Sequence, residues 1–292
     1  MLEKCICLRN HLNYLMMVGG MRLTVGIVQM SSGEDKEENL RKAEEMIAAC
    51  ASGGARLIAL PELFNYLPPR IDKEKYFANA EGLDGISLGR VSKVARELGV
   101  TIIGGSIIEK GAGEVYNTCA VVTPEGITGT YRKTHLFSYG RINEAEIFTA
   151  GRGGTVVELD GLRIGLTICF DLRFPELFRE ETIGGAEIIS NVSAFLRETG
   201  KHHWMTLLRA RAIENQLYII AANQACGQAR GGGAPKYFGH SCIVDPWGRV
   251  IAKLGYEEGV AIAEISTEKV REIRESLPSV DLIIDRAKRN EK

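Results

Sequence analysis

The sequence has no surplus of charge of either sign, no long apolar run, no regular cysteine framework and few histidines. Its 292 residues carry 36 basic and 37 acidic side chains, a formal net charge of −1. Nothing in so balanced a charge suggests nucleic acid or an anionic membrane as the main partner. Neither partner is expected. The apolar segment "LNYLMMV" near the start is interrupted by Asn13. It is far short of the roughly 20 residues that cross a bilayer. Lys4 and Arg9 give only a weak basic start and no A-x-A cleavage site follows, so a secretory signal is not indicated.

The seven cysteines are Cys5, Cys7, Cys50, Cys119, Cys169, Cys226 and Cys242, an odd and irregular set. They read as mostly free thiols in a reducing compartment, hence a cytoplasmic protein. The only close Cys or His pairs, Cys5 with Cys7 and His202 with His203, lack metal-ligand spacing. No metal is expected.

The ordinary shares of hydrophobic (45%) and charged (25%) residues fit a globular domain with a sizeable core. "MRLTVGIVQM" begins at Met21 and reads at once as a strand. Residues 1–20 are therefore taken as an N-terminal extension or an over-called start, and 21–292 as a single domain. No linker, short repeat or low-complexity tract interrupts it.

From Met21, β-branched runs alternate with helical spacing. In "EENLRKAEEMIAACA", Leu40, Ala43, Met46, Ile47 and Cys50 share one helical face. Leu88, Val91, Val94, Ala95 and Leu98 do the same in "ISLGRVSKVARELG". "VTIIGGSIIE" reads as one strand, and "VYNTCAVVTPEG" with "GITGTYRK" as a strand pair. "TVVELDGLRIGLTIC" predicts a hairpin turned at Asp160-Gly161. "PELFREETIGG" is a helix with Pro175 in its first turn, and "HHWMTLLRARAIENQ" another. "HSCIVDPWGRVIAKLG" is a second hairpin, "VAIAEIS" a last strand and "EKVREIRESL" a last helix. Two β-rich halves, each with helices, predict an α/β fold with two sheets. Gly231-Gly232-Gly233 reads as a loop, not a phosphate cradle, because the G-x-G-x-x-G frame is absent.

Three apolar runs end in a charged or nucleophilic residue: "LIALPELF" at Glu62, "GTYRKTHLF" at Lys133 and "GLTICFDLRF" at Cys169. Strand exits are where α/β folds place active sites, held rigidly at a sheet edge. Each residue has a plain alternative: an exposed loop acid, a solvated lysine, a core cysteine. Together they suffice for acyl transfer without histidine. A buried carboxylate can take the thiol proton, and a lysine can stabilise an oxyanion. A Cys-His thiol hydrolase with His135 as base is the rival enzyme class. A non-catalytic binding or assembly module on the same fold is the other rival.

"LPELF", "YRKTHLF" and "CFDLRFPEL", in this order, resemble the nitrilase superfamily of carbon–nitrogen hydrolases. The resemblance runs from about Met21 to Leu277 and includes "NEAEIFTAG" and "FGHSCIVDPWG". It implies a four-layer α-β-β-α sandwich, a Glu62–Lys133–Cys169 triad and a second glutamate that helps position Lys133. Glu144 and Glu146 are both candidates, and counting back from Gly151 favours Glu144. The backbone N–H of Phe170 is the expected oxyanion donor.

The short loop between Lys133 and Glu144, Arg173 and "TGKHHW" resemble amidases of the omega-amidase and deaminated-glutathione-amidase kind. Arg173 would then bind a substrate carboxylate, for which its planar fork is suited. Its alternative is a salt bridge with Asp171 or Glu176. "NVSAF" and the tail "LPSVDLIIDR" depart from the usual amidase pattern, the first on pocket-lining ground. The expected reaction is hydrolysis of a small carboxylated linear amide through a thioester, without a cofactor. N-carbamoyl amide hydrolysis and nitrile hydrolysis are the alternatives within the superfamily. A homo-oligomer, paired through the helices after Cys169, is expected. Arg209, Arg211 and Glu214 read as a charge network within or between subunits.

Overall fold

The computed structural model describes residues 20–226 and 236–290. The N-terminal extension through residue 19, with Cys5 and Cys7, and the glycine run 231–233 lie outside the described residues.

The described residues begin with β1 (Arg22–Gln29), then α1 (Lys36–Ser52) and β2 (Leu57–Ala59). A short α2 (Lys73–Ala78) and then α3 (Ile86–Leu98) follow. β3 (Thr101–Ile103), β4 (Ile107–Lys110), β5 (Val115–Thr123) and β6 (Gly126–Arg132) complete the first half, with a small hairpin of β7 (Ser138–Tyr139) and β8 (Ile142–Asn143). The second half runs β9 (Val156–Leu159), β10 (Leu162–Ile168), α4 (Pro175–Ile183), β11 (Ile188–Val192), α5 (Arg197–Asn215) and β12 (Tyr218–Ala221). β13 (Cys242–Val244), β14 (Val250–Lys253), β15 (Gly259–Ser266), α6 (Thr267–Ser276) and α7 (Ser279–Asn290) end it.

Two mixed sheets result. In the first, β15-β1-β2-β3-β5 are neighbours in that order, with β4 and β6 also paired to β5. The second has the order β14-β13-β12-β11-β10-β9, with β10, β11 and β12 parallel. β15 closes back on β1, which brings the first and last described strands together in one sheet.

Side-chain alternation fixes the layering. Val25, Ile27, Leu57, Ala59, Cys119 and Val121 point from the first sheet into a core shared with Ile164, Leu166, Ile168, Ile188 and Ile243 of the second. Their neighbours Val28, Ile58, Ile102, Ala120 and Val122 point the other way. There they pack on Leu40, Ala43, Ile47 and Cys50 of α1 and on Leu88, Val91 and Ala95 of α3. Leu177 and Phe178 of α4, with Trp204, Leu208 and Ala212 of α5, cover the second sheet. This is the expected four-layer α-β-β-α sandwich. With both faces of each sheet buried, the strands read as nearly continuous apolar runs.

Both turn-based hairpins form where the sequence places them, and Asp160 and Gly161 take φ of 49° and 85°. The single strand expected over "VTIIGGSIIE" is instead two, broken at Gly104-Gly105. Gly105 has φ of 54°, and a Cβ there would lie 2.1 Å from the Pro61 carbonyl oxygen. The break lets the backbone just before Glu62 pass close by. A helix, α7, follows the expected last one, so the unusual "LPSVDLIIDR" tail is helical from Ser279. Among the described residues no helix is long and apolar enough to cross a membrane.

Candidate active site

Glu62 follows β2, Lys133 follows β6 and Cys169 follows β10. The sequence places these three at one sheet edge. In the fold they come from two sheets: Glu62 and Lys133 from the first, Cys169 from the second. Glu62, Glu144 and Cys169 line the same open cavity of about 1160 Å³.

Lys133 Nζ donates to Glu62 Oε1 at 2.8 Å and lies 2.8 Å from Glu144 Oε2, with its side chain fully buried. Glu62 is further held by Asn117 Nδ2 at 2.8 Å and by the Ala194 N–H at 2.7 Å. Glu144 opens a 3₁₀ turn and accepts from the Phe137 N–H at 2.8 Å. Glu146, the other candidate, contacts only Asn143 and is exposed. Of the two, Glu144 is the one in contact with Lys133.

The backbone is left-handed at two points of the site. Cys169 has φ of 49° and Leu63, next to Glu62, has φ of 51°. Left-handed backbone costs a side-chain-bearing residue about 1–2 kcal/mol. Leu63 is held by the Ser106 hydroxyl, which accepts its N–H at 2.9 Å, and Gln224 donates to the Glu62 carbonyl at 2.8 Å. Lys133 is anchored by the Gly151 N–H, which donates to its carbonyl at 2.8 Å. A Cβ at Gly151 would lie 2.0 Å from the Arg132 carbonyl oxygen, so only glycine fits.

Burial alone would lower the Lys133 pKa, but the charges of Glu144 and Glu62 hold it well above the usual lysine range. Burial pushes the Glu144 carboxyl up, against the opposing charge of Lys133. Burial, with Glu62 second, pushes the Cys169 thiol well above its usual range, opposed by Lys133. That direction favours the protonated thiol over the thiolate.

Arg173 lines the cavity, half-buried, its guanidinium 5.1 Å from the Phe195 ring centroid and 3.2 Å from His203 Nδ1. Arg173 forms no salt bridge with Asp171 or Glu176, and the Asp171 carboxylate is occupied by other donors. Burial lowers the Arg173 pKa from the usual arginine value. Phe170 also lines the cavity. The "NVSAF" segment contributes Ala194 and Phe195, "TGKHHW" contributes Thr199 and Lys201, and the Lys133–Glu144 loop contributes Phe137, Tyr139 and Arg141.

His135 does not line the cavity. Its ring stacks on Phe174 with centroids 3.6 Å apart, and its Nδ1 lies 2.8 Å from Asp171 Oδ1. His240 is tied to the Phe238 carbonyl. Neither supports the Cys-His alternative. Arg211 bonds Glu214 at 2.8 Å but also donates twice to the Leu172 carbonyl, at 3.1 and 2.9 Å, and Arg209 donates to the Gly248 carbonyl. The network seen in sequence is in part an anchor for the turn after Cys169. Among the described residues no group of three His, Cys, Asp or Glu is placed to hold a metal.

Sequence reasoning passes over Asn117, Tyr76 and Tyr237. Asn117 sits inside an apolar strand, and its polarity there was the available signal. Tyr76 and Tyr237 line the cavity from segments distant in sequence, and nothing local marks them.

Residues 24–275 match the family model described as carbon-nitrogen hydrolase. The omega-amidase NIT2 of Xenopus tropicalis is 40% identical over 264 residues, covering 88% of this chain and 93% of its own. The crystal structure of the C. elegans NitFhit protein superposes with a TM-score of 0.82 at 33% identity, over 88% of this chain and 64% of that one. Saccharomyces cerevisiae Nit3, described as a member of branch 10 of the nitrilase superfamily, gives 0.80 at 29% identity, over 88% of this chain and 94% of its own.

Proposed function

The chain belongs to the carbon–nitrogen hydrolase family, and we infer that it is a cysteine-dependent amidase. It hydrolyses the C–N bond of a small linear carboxylated amide, releasing ammonia and a carboxylic acid in the manner of an omega-amidase. The observation that carries the reading is the buried Lys133 ammonium, held between Glu62 and Glu144 at the cavity that Cys169 lines.

In this reading Glu62 accepts the Cys169 proton as Sγ attacks the amide carbon. Glu62, Glu144 and Lys133 sum to one negative charge. Moving the Cys169 proton to Glu62 keeps the net charge of the four groups at −1, whereas a resting thiolate beside an ionised Glu62 would add a second negative charge to a buried site. Lys133 Nζ and the Phe170 N–H hold the oxyanion. The C–N bond breaks as Glu62 gives its proton to the departing nitrogen, leaving a thioester on Cys169. A water then attacks that carbonyl and loses a proton to Glu62. The intermediate collapses to the acid, and the thiol regains its proton. No metal or organic cofactor enters.

The carboxylated substrate class is supported by the charge of the cavity. Arg70, Arg141, Arg173, Arg197, Lys201 and Lys236 line it. Against them stand three lining carboxylates. Glu62 and Glu144 share Lys133 and keep one negative charge between them, and Glu198 accepts from Tyr139, so the basic side chains remain in excess. Arg173 lies deepest in burial of the six and is the proposed partner of the substrate carboxylate.

Cys169→Ala is expected to abolish ammonia release from 2-oxoglutaramate and 2-oxosuccinamate while keeping the fold. Near-wild-type turnover in that variant would sink the reading. Release of carbon dioxide from N-carbamoyl compounds, or turnover of simple nitriles, would instead favour those branches of the family.

A homodimer through α4 and α5 fits the exposure of Ile183 and Ile213, at 38% and 50%, on these two helices. Light scattering of Ile213→Glu is the check: a dimer in the parent protein and a monomer in the variant are expected. The five described cysteines are unpaired, which suits a reducing compartment such as the cytoplasm.

A further inference from the structure

Asp171 has no exposed surface, yet its carboxylate serves both sheets. Oδ2 accepts from the Ile168 N–H at 2.9 Å and from the Tyr131 hydroxyl at 2.7 Å. Oδ1 accepts from the His135 N–H at 3.0 Å and lies 2.8 Å from His135 Nδ1. Ile168 ends β10 and immediately precedes Cys169. Tyr131 and His135 stand two residues on either side of Lys133. A carboxylate that merely closed its own turn would need Ile168 alone.

We propose that Asp171 is a positioning residue that fixes Lys133 relative to Cys169 across the seam between the sheets. The turn it belongs to starts at a left-handed residue, Cys169, and needs holding at both ends. Arg211 pins the far end from α5 through the Leu172 carbonyl. Asp171 pins the near end, and only this anchor reaches the segment that carries Lys133. The His135 ring is locked against Phe174, its plane within 6° of that ring, so the imidazole end of the tie is itself fixed. Tyr131 is fixed in turn, buried in the inter-sheet core and accepting from the Thr134 N–H at 3.1 Å. Every partner of the carboxylate is therefore rigid. The assignment rests on the reading that Lys133 and Cys169 act in one reaction.

Asp171→Asn is the test. However its amide is turned, its NH₂ faces one pair of the donors that the carboxylate satisfied. Misplacement by about 1 Å can cost on the order of 10²-fold in rate. A fall in kcat of that order is expected, with KM within about threefold of the parent. The pH profile of iodoacetamide alkylation at Cys169 is expected to move to higher pH, because Lys133 lowers the thiol pKa. Tyr131→Phe removes one bond and keeps the ring packed, so a smaller loss in kcat with unchanged KM is expected. Ile47→Ala, in the outer helix layer, serves as a destabilised control with normal kcat per folded molecule.

The proposal is overturned if Asp171→Asn and Tyr131→Phe keep kcat within about twofold. It is equally overturned if they lose activity only in proportion to folded protein, as the control does. Alkylation needs no substrate. If the parent hydrolysed no amide, the functional reading would fall. A profile shift in Asp171→Asn that is absent in Ile47→Ala would still support the positioning role, and an unshifted profile would still overturn it.

Discussion

Lys133 Nζ and Glu62 Oε1 stand 2.8 Å apart with both side chains almost wholly out of water. Removing one partner of such a pair leaves the other as an uncompensated buried charge, at a cost of about 3–5 kcal/mol. Here two carboxylates share the lysine, so Lys133→Ala strands both. The variant is expected to lose stability of that order in urea unfolding. Its turnover is expected to fall by at least about 10²–10³, the usual loss for an oxyanion donor. Retained stability in Lys133→Ala would contradict the shared-lysine arrangement.

Glu62 is the second-largest cause holding the Cys169 thiol up, after burial. Glu62→Gln removes that charge and should move the Cys169 alkylation profile to lower pH. In the proposed mechanism Glu62 is the base, so the same variant should lose amide hydrolysis. Faster alkylation with abolished turnover is the combined outcome to measure.

Glu181 on α4 is buried, its Oε1 accepting from the Leu166 and Thr155 N–H groups at 3.1 and 3.3 Å. Burial pushes its pKa well above the usual carboxylate range. An acid whose pKa is raised in the folded state contributes stability below its unfolded pKa. That contribution fades as pH rises toward the folded value. Stability should therefore decline as pH climbs from about the ordinary glutamate value of 4.3. Glu181→Gln should unfold at a higher temperature than the parent at neutral pH and lose that advantage in acid. Thermal melts across pH will show it.

Gly151→Ala should displace the Lys133 backbone, because its Cβ would overlap the Arg132 carbonyl. The expected result is a large drop in kcat with a lowered melting temperature. An alanine variant of Gly113, which has open space around it but φ of 89°, should lose some stability and no activity.

Arg173→Ala should raise KM for carboxylated amides by at least tenfold, an ion-pair contribution of about 1.4 kcal/mol or more. An uncarboxylated amide of the same length should be hydrolysed as before. Equal losses on both substrates would assign Arg173 a structural role.

Much of this was legible because local chemistry and fold agree. The apolar runs, the Asp160-Gly161 turn and the 3.6-residue spacing of α1 and α3 each specify their own element. Glu62, Lys133 and Cys169 stood out because a polar residue ends an apolar run in each case. Three things were not legible. The strand break at Gly104-Gly105 depends on the approach of Pro61, some 40 residues away. Whether the three residues share a sheet edge depends on which strands pair. The partners of Arg173 and Arg211 depend on how the turn after Cys169 folds, which short-range pattern does not encode.

The two-sheet origin of the site makes catalysis a reporter of assembly. Neither sheet with its own helices holds all of Glu62, Lys133 and Cys169, so under the proposed mechanism an intermediate with correct strands but undocked layers would be inert. Recovery of turnover during refolding should then lag behind recovery of secondary structure, timing the moment at which the halves of the sandwich close on each other.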